Sequence, residues 1–260
     1  MFNEVAKNMQ YVQELFLEIP SHINPTDNVE QIIFLLDKEP IKFRSIAYES
    51  ASWEIAMEDL KSSGELYRWT DFYYKTKHEH PYHVEIGLGW AFAKTGIYPP
   101  NFINTLNKEV RRMVYDGVGY YYALYRRRRT IVLNEIPEEI SQDDLSGFTQ
   151  GVGRRLWYEA KGDVNYLLKS LEIFSNHRLP DLWRGIGIAC GYVGGNNQLI
   201  LDRLLLKSAD FKSDLKIGVQ LAVLSRQLSK SISKDIKLTS EIICKMTISD
   251  LQIASKAVLC

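Results

Sequence analysis

The stretch IGLGWAFAKTG, residues 86–96, is echoed by GIGIACGYVGG at residues 185–195. In both stretches two glycines stand one residue apart, and small or apolar residues lead on to a further glycine. At one constant offset, Gly87, Gly89, Ala91 and Gly96 fall on Gly185, Gly187, Ala189 and Gly194. The match predicts that one helical unit occurs twice in the chain.

The same order of residues continues on both sides of the two stretches. Leu106 and Met113 meet Leu204 and Phe211 downstream, and Phe43, Ile46 and Ala51 meet Leu145, Phe148 and Gly153 upstream when a short gap is allowed. A slip of one residue also aligns Gly119 with Gly218. The predicted copies span 41–128 and 143–229, with four or five helices each. The alternative is a chance likeness between helices that contain glycine.

Glycine inside a helix costs about 1 kcal/mol relative to alanine, so its repeated use predicts a close helix contact. We expect residues 86–96 and 185–195 to pack on each other near a pseudo-twofold axis, with an aromatic hollow beside this seam. A dinucleotide-binding loop fits less well, because it needs a preceding strand and a third glycine at fixed spacing. Cys190 occupies that third position in the second stretch.

Most of the chain shows helical periodicity. Apolar residues at steps of three and four (Phe2, Val5, Met9, Val12, Phe16 and Ile19) predict an opening helix that docks on its own domain. Asp27 and Glu30 resemble a capping box for the next helix. Only RTIVLNEI, residues 129–136, resembles a strand. The predicted fold is all-α, in one compact domain.

The predicted organisation has four parts. N-terminal helices occupy 1–40, the first copy with its linker 41–142, the second copy 143–230, and C-terminal helices 231–260. The two copies are expected to be related by a pseudo-twofold axis.

Composition narrows the classes of function. Thirty-two basic and 32 acidic side chains cancel, so no overall field favours nucleic acid as a partner. Three scattered cysteines suit free thiols in a reducing compartment. No apolar run has the length of a membrane span, and the N-terminus does not resemble a signal peptide. We therefore expect a cytoplasmic protein.

The segment KHEHPYHVE, residues 77–85, concentrates His78, His80 and His83 with Glu79 and Glu85. Imidazole and carboxylate groups can bind zinc or iron. Proline in the segment breaks the helical register, and no second ligand cluster occurs elsewhere. The segment is therefore interpreted as a solvated loop, and no metal is predicted.

The most unusual stretch is DGVGYYYALYRRRR, residues 116–129. A helix that starts near Gly117 would place several phenols along its sides, and their hydroxyls predict that the helix lines a cavity. Asp116 would then stand at the helix N-cap. Burial beside aromatic rings would instead raise the pKa of Asp116 and make it a proton donor.

The second predicted copy contains Arg154, Arg155, Asp181 and Arg184, which are expected to pair among themselves. Trp157 and Trp183 could pack over these guanidinium groups. The chain lacks the sequence signatures of serine hydrolases, zinc peptidases, P-loop proteins and CxxC redox proteins.

Four motifs in order, VEIGLGWAFAKTG, YDGVGYYYALYRRRR, FTQGVGRRLWYEAKGDV and DLWRGIGIACGYVGG, resemble a bacterial family of unknown function whose members often carry the description enediyne biosynthesis protein. The resemblance covers residues from about 40 to 230. It implies a place beside gene clusters for polyketides and other secondary metabolites, without a defined reaction. The family tends to have a histidine and an acidic residue where this chain has Tyr121 and Tyr122, so that histidine's role does not transfer.

Two functions of different class follow. The first is a cofactor-free cyclase or isomerase that folds an apolar polyene, polyketide or isoprenoid chain in an aromatic cavity. Asp116 and Tyr121 are its predicted catalytic residues, and its predicted substrate-binding residues are Tyr120, Tyr122, Tyr125, Trp90, Trp157 and Trp183. The second is a non-catalytic helical carrier or scaffold for such a chain or for a partner protein. A solenoid-like interaction protein and a homodimer remain open.

Overall fold

The computed structural model describes residues 4–24 and 26–250, and it confirms the all-α prediction. No β-strand occurs within these two ranges. The α-helices are α1 (Glu4–Glu18), α2 (Val29–Leu36), α3 (Arg44–Ser62), α4 (Tyr67–Thr76), α5 (His83–Thr95), α6 (Pro100–Ile103), α7 (Lys108–Tyr125), α8 (Leu145–Ala160), α9 (Val164–Leu171), α10 (Leu179–Val193), α11 (Gln198–Lys207), α12 (Lys212–Leu228) and α13 (Lys234–Thr239). Short 3-10 helices (Ile19–His22, Asn176–Arg178, Ala209–Phe211) and π-helices (Arg128–Val132, Ser240–Cys244) complete the helical elements.

Six long helices form the core in the order α3, α5, α7, α8, α10 and α12, and each packs on the next. Along α3 and α5, Glu49 contacts His83, and Trp53 contacts Trp90 further on. Ser52 in α3 also donates to the carbonyl oxygen of Val84 in α5, so the two helices cross at close range. Shorter helices such as α4, α9 and α11 lie in the connections.

Helix α1 and the end of α12 bring the two ends of this row together. Asn8 in α1 donates a hydrogen bond to the carbonyl oxygen of Val193 at the end of α10, and α1 also packs on α3. Arg226 in α12 donates to the carbonyl oxygens of Tyr192 and Lys42, the latter just before α3. The long helices therefore surround a common centre, and α1 packs against α3 and α10.

Glycines set the spacing between the long helices. A methyl group on Gly87 would overlap the carbonyl oxygen of Glu49 in α3, and one on Gly185 would overlap that of Gln150 in α8. Gly89 approaches α7 and Gly187 approaches α12 in the same way. These backbone contacts confirm that the glycines mark close helix packing.

The expected partner of each glycine stretch was wrong. Residues 86–96 and 185–195 do not pack on each other through their glycines, because each lies between two other long helices that occupy its glycine faces. Helices α5 and α10 instead touch through the rings of His83 and Tyr192, whose centroids are 4.5 Å apart. The duplication and its pseudo-twofold axis stay a prediction.

Three local expectations also need correction. Helix α7 begins at Lys108 with Asn107 as its N-cap, so Asp116 lies inside a helix rather than at its start. The capping box of α2 is formed by Asn28 and Gln31, not by Asp27 and Glu30. The strand-like residues 129–136 overlap a π-helix.

Within the described ranges, no helix combines the length and apolar character needed to cross a bilayer. The predicted apolar positions of α1 that fall in these ranges are buried. Phe2, Cys260 and the last ten residues of the expected C-terminal helices lie outside the described residues.

Candidate functional site

A cavity of about 430 Å³ occupies the centre of the helix ring. Seven helices line it: α1, α3, α5, α7, α8, α10 and α12. Its volume lies within the range of small-molecule sites in proteins. Because Leu17 and Tyr125 line it and are 64% and 55% exposed, they mark its entrance.

Aromatic and aliphatic side chains form most of the cavity wall. The ring of Trp90 lies 4.6 Å from that of Phe16 and 5.4 Å from that of Tyr120, measured between centroids. Tyr120 meets Tyr158 edge to face at 5.6 Å. The predicted cavity beside the tyrosine-rich helix is therefore present.

A carboxylate and an imidazole meet at the closed end of the cavity. Oε2 of Glu49 in α3 lies 2.8 Å from Nδ1 of His83 in α5, and both residues are at most 5% exposed. Burial lowers the pKa of His83 although Glu49 opposes this shift, so the imidazole is neutral at pH 7. The carboxyl oxygen of Glu49 is placed to accept a hydrogen bond from Nδ1 of the neutral ring, and a ring that donates from Nδ1 keeps its lone pair on Nε2.

Local structure explains the position of His83. The backbone turns sharply after Pro81, where Tyr82 takes a φ of 71°, a left-handed conformation uncommon for a tyrosine. Helix α5 then begins at His83. Because Gly87 allows α3 to approach closely, the first turn of α5 lies against Glu49.

Nε2 of His83 makes no hydrogen bond to another described residue, and it does not belong to the buried nitrogens that lack a partner. His83 lines the cavity. The unpaired nitrogen of the imidazole is therefore accessible from the cavity.

A second polar group, from α7 and α8, lies at the same end. Nε of Arg154 lies 2.6 Å from Oδ1 of Asp116, in the geometry of an ion pair rather than an aligned hydrogen bond. The side-chain amide of Gln150 donates to the other carboxylate oxygen of Asp116 at 2.7 Å. Burial raises the pKa of Asp116, while Arg154 and Gln150 act in the opposite direction.

The guanidinium group of Arg154 is held in place, but some of its hydrogen-bond donors have no acceptor in the described part of the chain. It lies 5.0 Å from the centre of the Tyr120 ring, and the residue is 8% exposed. Its two terminal nitrogens donate no hydrogen bond to the described part of the chain, and neither is a fully buried atom without a partner. Since Arg154 lines the cavity, these donors are available to a ligand.

The predicted catalytic and substrate-binding residues lie in different parts of the structure. Trp90, Tyr120 and Tyr125 line the cavity. Asp116 lies behind Arg154, and Tyr121 packs beside Trp90 and Tyr125.

Three predicted substrate-binding residues lie elsewhere. Tyr122 lines a separate, more polar pocket of about 370 Å³ near Arg126 and Glu138. Trp157 and Trp183 are buried in the helix packing and do not line the cavity.

The interpretation of residues 77–85 as a solvated loop was wrong. His80, His83 and Glu85 are each at most 4% exposed, whereas His78 is exposed. Burial lowers the pKa of His80 to about 3, and its ring stacks on Tyr48 at 3.7 Å. The charge of His83 would also disfavour protonation of His80, so the two buried imidazoles lie near each other. The described residues contain no group of three or more His, Cys, Asp or Glu side chains arranged for a metal ion.

Ion pairs of the second half also differ from the expectation. Arg154 pairs with Asp116, and Arg155 lies 3.4 Å from Glu159. Asp181 accepts from Arg112, and Arg184 lies 4.0 Å from Asp214. The expected pairing of these four residues among themselves is therefore not observed. Their partners lie on α7, α8 and α12.

Sequence reasoning missed Glu49. The signal was an acidic residue three positions after Ile46, which lines the same cavity from the same helix. An acidic residue on an apolar helix face is unusual and marks a paired or functional carboxylate.

The comparisons with known proteins identify a family but no function. Residues 3–258 match the family model described as Protein of unknown function (DUF1702), so the chain belongs to this family. The search of curated proteins found no match, and the search of solved structures found none.

Proposed function

We propose that this member of the family is a cofactor-free isomerase or cyclase that acts on an apolar chain in the central cavity. The observation that carries the proposal is the buried Glu49–His83 pair at the closed end of a mostly aromatic cavity. We further propose, from the resemblance of the four sequence motifs, that the chain serves the biosynthesis of a secondary metabolite.

Proton transfer is assigned to His83 rather than to Asp116 or Tyr121. Nε2 of His83 is accessible from the cavity, whereas the Asp116 carboxylate is held by Arg154 and Gln150 behind the wall. Glu49 fixes the tautomer of His83 and stabilises the imidazolium that forms when Nε2 takes a proton. Glu49 is therefore a positioning residue.

The reaction begins with removal of a proton from a carbon atom next to a carbonyl group. The proton moves to Nε2 of His83, and its electron pair passes to the carbonyl oxygen, where Arg154 stabilises the negative charge. An isomerase returns the same proton to another carbon atom of the conjugated system. A cyclase instead forms a carbon–carbon bond from the enolate to a second carbonyl carbon, and the proton passes to the new alkoxide.

The aromatic wall supports this chemistry by excluding water and by shaping the chain. Trp90, Tyr120 and Tyr158 enclose the space next to His83 and Arg154. Charge interactions at that end are strengthened because the surrounding groups are apolar.

Ligand capture followed by turnover tests the proposal. The protein is purified from its own host, and small molecules bound to it are extracted and identified by mass spectrometry. The isolated compound is then incubated with protein in deuterated water. Wild type is expected to incorporate deuterium or to form an isomer or a cyclised product, and His83→Asn and Glu49→Gln are expected to slow this by at least about 100-fold.

The control is His78→Asn, an exposed histidine of the same segment, which should match wild type. Binding measured in parallel separates turnover from retention. If wild type retains the compound without exchanging or converting it, the protein is a carrier and the proposal is wrong.

A further inference from the structure

We infer that the substrate carries, at one end of its apolar chain, a planar anion with two oxygen atoms, and that Arg154 holds this anion at the closed end of the cavity. The inference deepens the proposed function, on which it rests for the reaction that follows binding. The chemistry is shared by a carboxylate and by the enolate of a 1,3-dicarbonyl group.

Unused donors on Arg154 are the first argument. A guanidinium group has five N–H donors in a fixed plane, and its two terminal nitrogens match the paired oxygens of a carboxylate. Among the described residues, Nε of Arg154 lies at ion-pair distance from Asp116, and neither terminal nitrogen donates a hydrogen bond. The terminal nitrogens belong to a residue that lines the cavity, so their free donors fit a ligand with matching acceptors.

Fixed orientation is the second argument. Asp116 holds one edge of the guanidinium group, Gln150 holds Asp116, and the Tyr120 ring lies against the group at 5.0 Å. Such a group binds without ordering a flexible side chain, which lowers the entropy cost of association. Asp116 is thus a positioning residue for Arg154.

The direction of the chain follows from the wall. Arg154, Glu49 and His83 lie at the buried end, whereas Leu17 and Tyr125 at the entrance are exposed and apolar or aromatic. An apolar tail that pointed inward would place the anion at the entrance, away from Arg154. The anion therefore enters first, and the tail extends toward Leu17 and Tyr125.

A proton taken up together with the anion favours binding at this end. The entering anion meets the carboxyl groups of Glu49 and Asp116 as well as the guanidinium groups of Arg154 and Arg155, and a proton lowers its repulsion from the carboxyl groups. His83 is the group that takes the proton, because it contacts Glu49 and its free nitrogen faces the cavity. A 1,3-dicarbonyl compound supplies this proton from the carbon between its two carbonyl groups. When the ligand is a carboxylate, it stays ionised and His83 takes the proton from the solvent.

Binding of three probes with similar chain length tests the inference: dodecanoate, 2,4-tridecanedione and 1-dodecanol. Isothermal titration calorimetry on the full chain at pH 7 measures each dissociation constant. We expect at least one of the first two to bind at least about 10-fold more tightly than the alcohol, since hydrogen bonds to a charged group contribute more than neutral ones. The tighter of the two identifies the source of the anion.

Arg154→Met is expected to remove this preference and to leave the affinity for 1-dodecanol within about threefold. Arg184→Met, which changes an arginine outside the cavity, is the matched control and should keep the preference. Equal binding of all three probes, or a preference that survives Arg154→Met in a folded protein, would overturn the inference. Circular dichroism verifies folding of each variant.

The test also separates this inference from the proposed function. His83→Asn should weaken the ultraviolet absorption of the bound enolate of 2,4-tridecanedione, because the imidazole that takes the proton is removed. If Arg154 confers the preference while His83→Asn changes neither enolate formation nor turnover, the anion site stands and the proposed proton transfer is wrong.

Discussion

The α3/α5 side of the cavity and the α8/α10 side use the same backbone arrangement for different chemistry. The carbonyl oxygens of Glu49 and Gln150 each meet the first glycine of the neighbouring helix, Gly87 and Gly185. The Glu49 side chain pairs with His83 on the cavity wall, whereas the Gln150 side chain donates to Asp116 behind it. Glycine contacts thus set the helix spacing on both sides, whereas of the two polar side chains at these contacts only that of Glu49 lines the cavity.

The largest difference in stability between the two sides is expected when Glu49 and Gln150 are each replaced by the residue of the other side. Gln150→Glu places a second carboxylate against the fully buried Asp116, and we expect the free energy of unfolding to fall by about 4 kcal/mol at pH 7. Glu49→Gln keeps an acceptor for His83 and should cost about 1 kcal/mol. Urea denaturation measures both. Equal losses would show that the two sides are not electrostatically different.

Alanine in place of either first glycine should affect both sides alike. The added methyl group of Gly87→Ala or Gly185→Ala overlaps a backbone carbonyl oxygen, so we expect a loss of about 3 kcal/mol in each case. Gly64→Ala is the control, because no atom lies within 4 Å of its methyl group and only the left-handed φ of 75° costs about 1 kcal/mol. If thermal melts show a loss of stability in only one of the two variants, the two sides do not share this packing.

Acid should weaken the protein through the α3/α5 side, where two imidazoles are buried. His80 has a pKa of about 3 in the fold and about 6.5 when unfolded, so below pH 6.5 the unfolded chain binds a proton that the folded chain does not. Stability is therefore lost as pH falls, by about 2 kcal/mol from His80 between pH 6.5 and pH 5.

His80→Asn should flatten that part of the pH profile, and the lowered pKa of His83 keeps a loss of the same sign. His78→Asn should leave the profile unchanged, because His78 is exposed. An identical acid profile for wild type and His80→Asn, measured by urea denaturation from pH 7 to pH 5, would refute the burial argument.

Periodicity and composition predicted the helical fold because an apolar stripe at a 3.6-residue period requires only local information. The glycines predicted close contact, but a glycine does not specify which helix approaches it, so Gly87 and Gly185 were assigned the wrong neighbours. The tyrosines of α7 predicted a cavity. The sequence did not determine which of these tyrosines line it, because the start of the helix was predicted near Gly117 and lies at Lys108. An error in that start placed Asp116 at a cap.

The site itself depends on distant pairs that a single sequence does not reveal. Glu49 and His83 are 34 positions apart, as are Asp116 and Gln150. His83 was visible as part of a histidine cluster, but its burial follows from the turn at Tyr82 and the approach of α3 at Gly87. Arg154 was grouped with Asp181 and other residues of the second predicted copy, whereas its partner Asp116 lies on the preceding long helix.

Measuring the tautomer of His83 in the ligand-free protein tests whether Nε2 offers a free lone pair to the cavity. Long-range proton–nitrogen correlation spectra of uniformly labelled protein at pH 7, assigned with His83→Asn, distinguish the two neutral tautomers and the imidazolium. We predict a neutral ring protonated at Nδ1, with Nε2 free, and loss of this single tautomer in Glu49→Leu, which removes the acceptor. A charged ring, or one protonated at Nε2, would contradict the account, because no lone pair would then face the cavity.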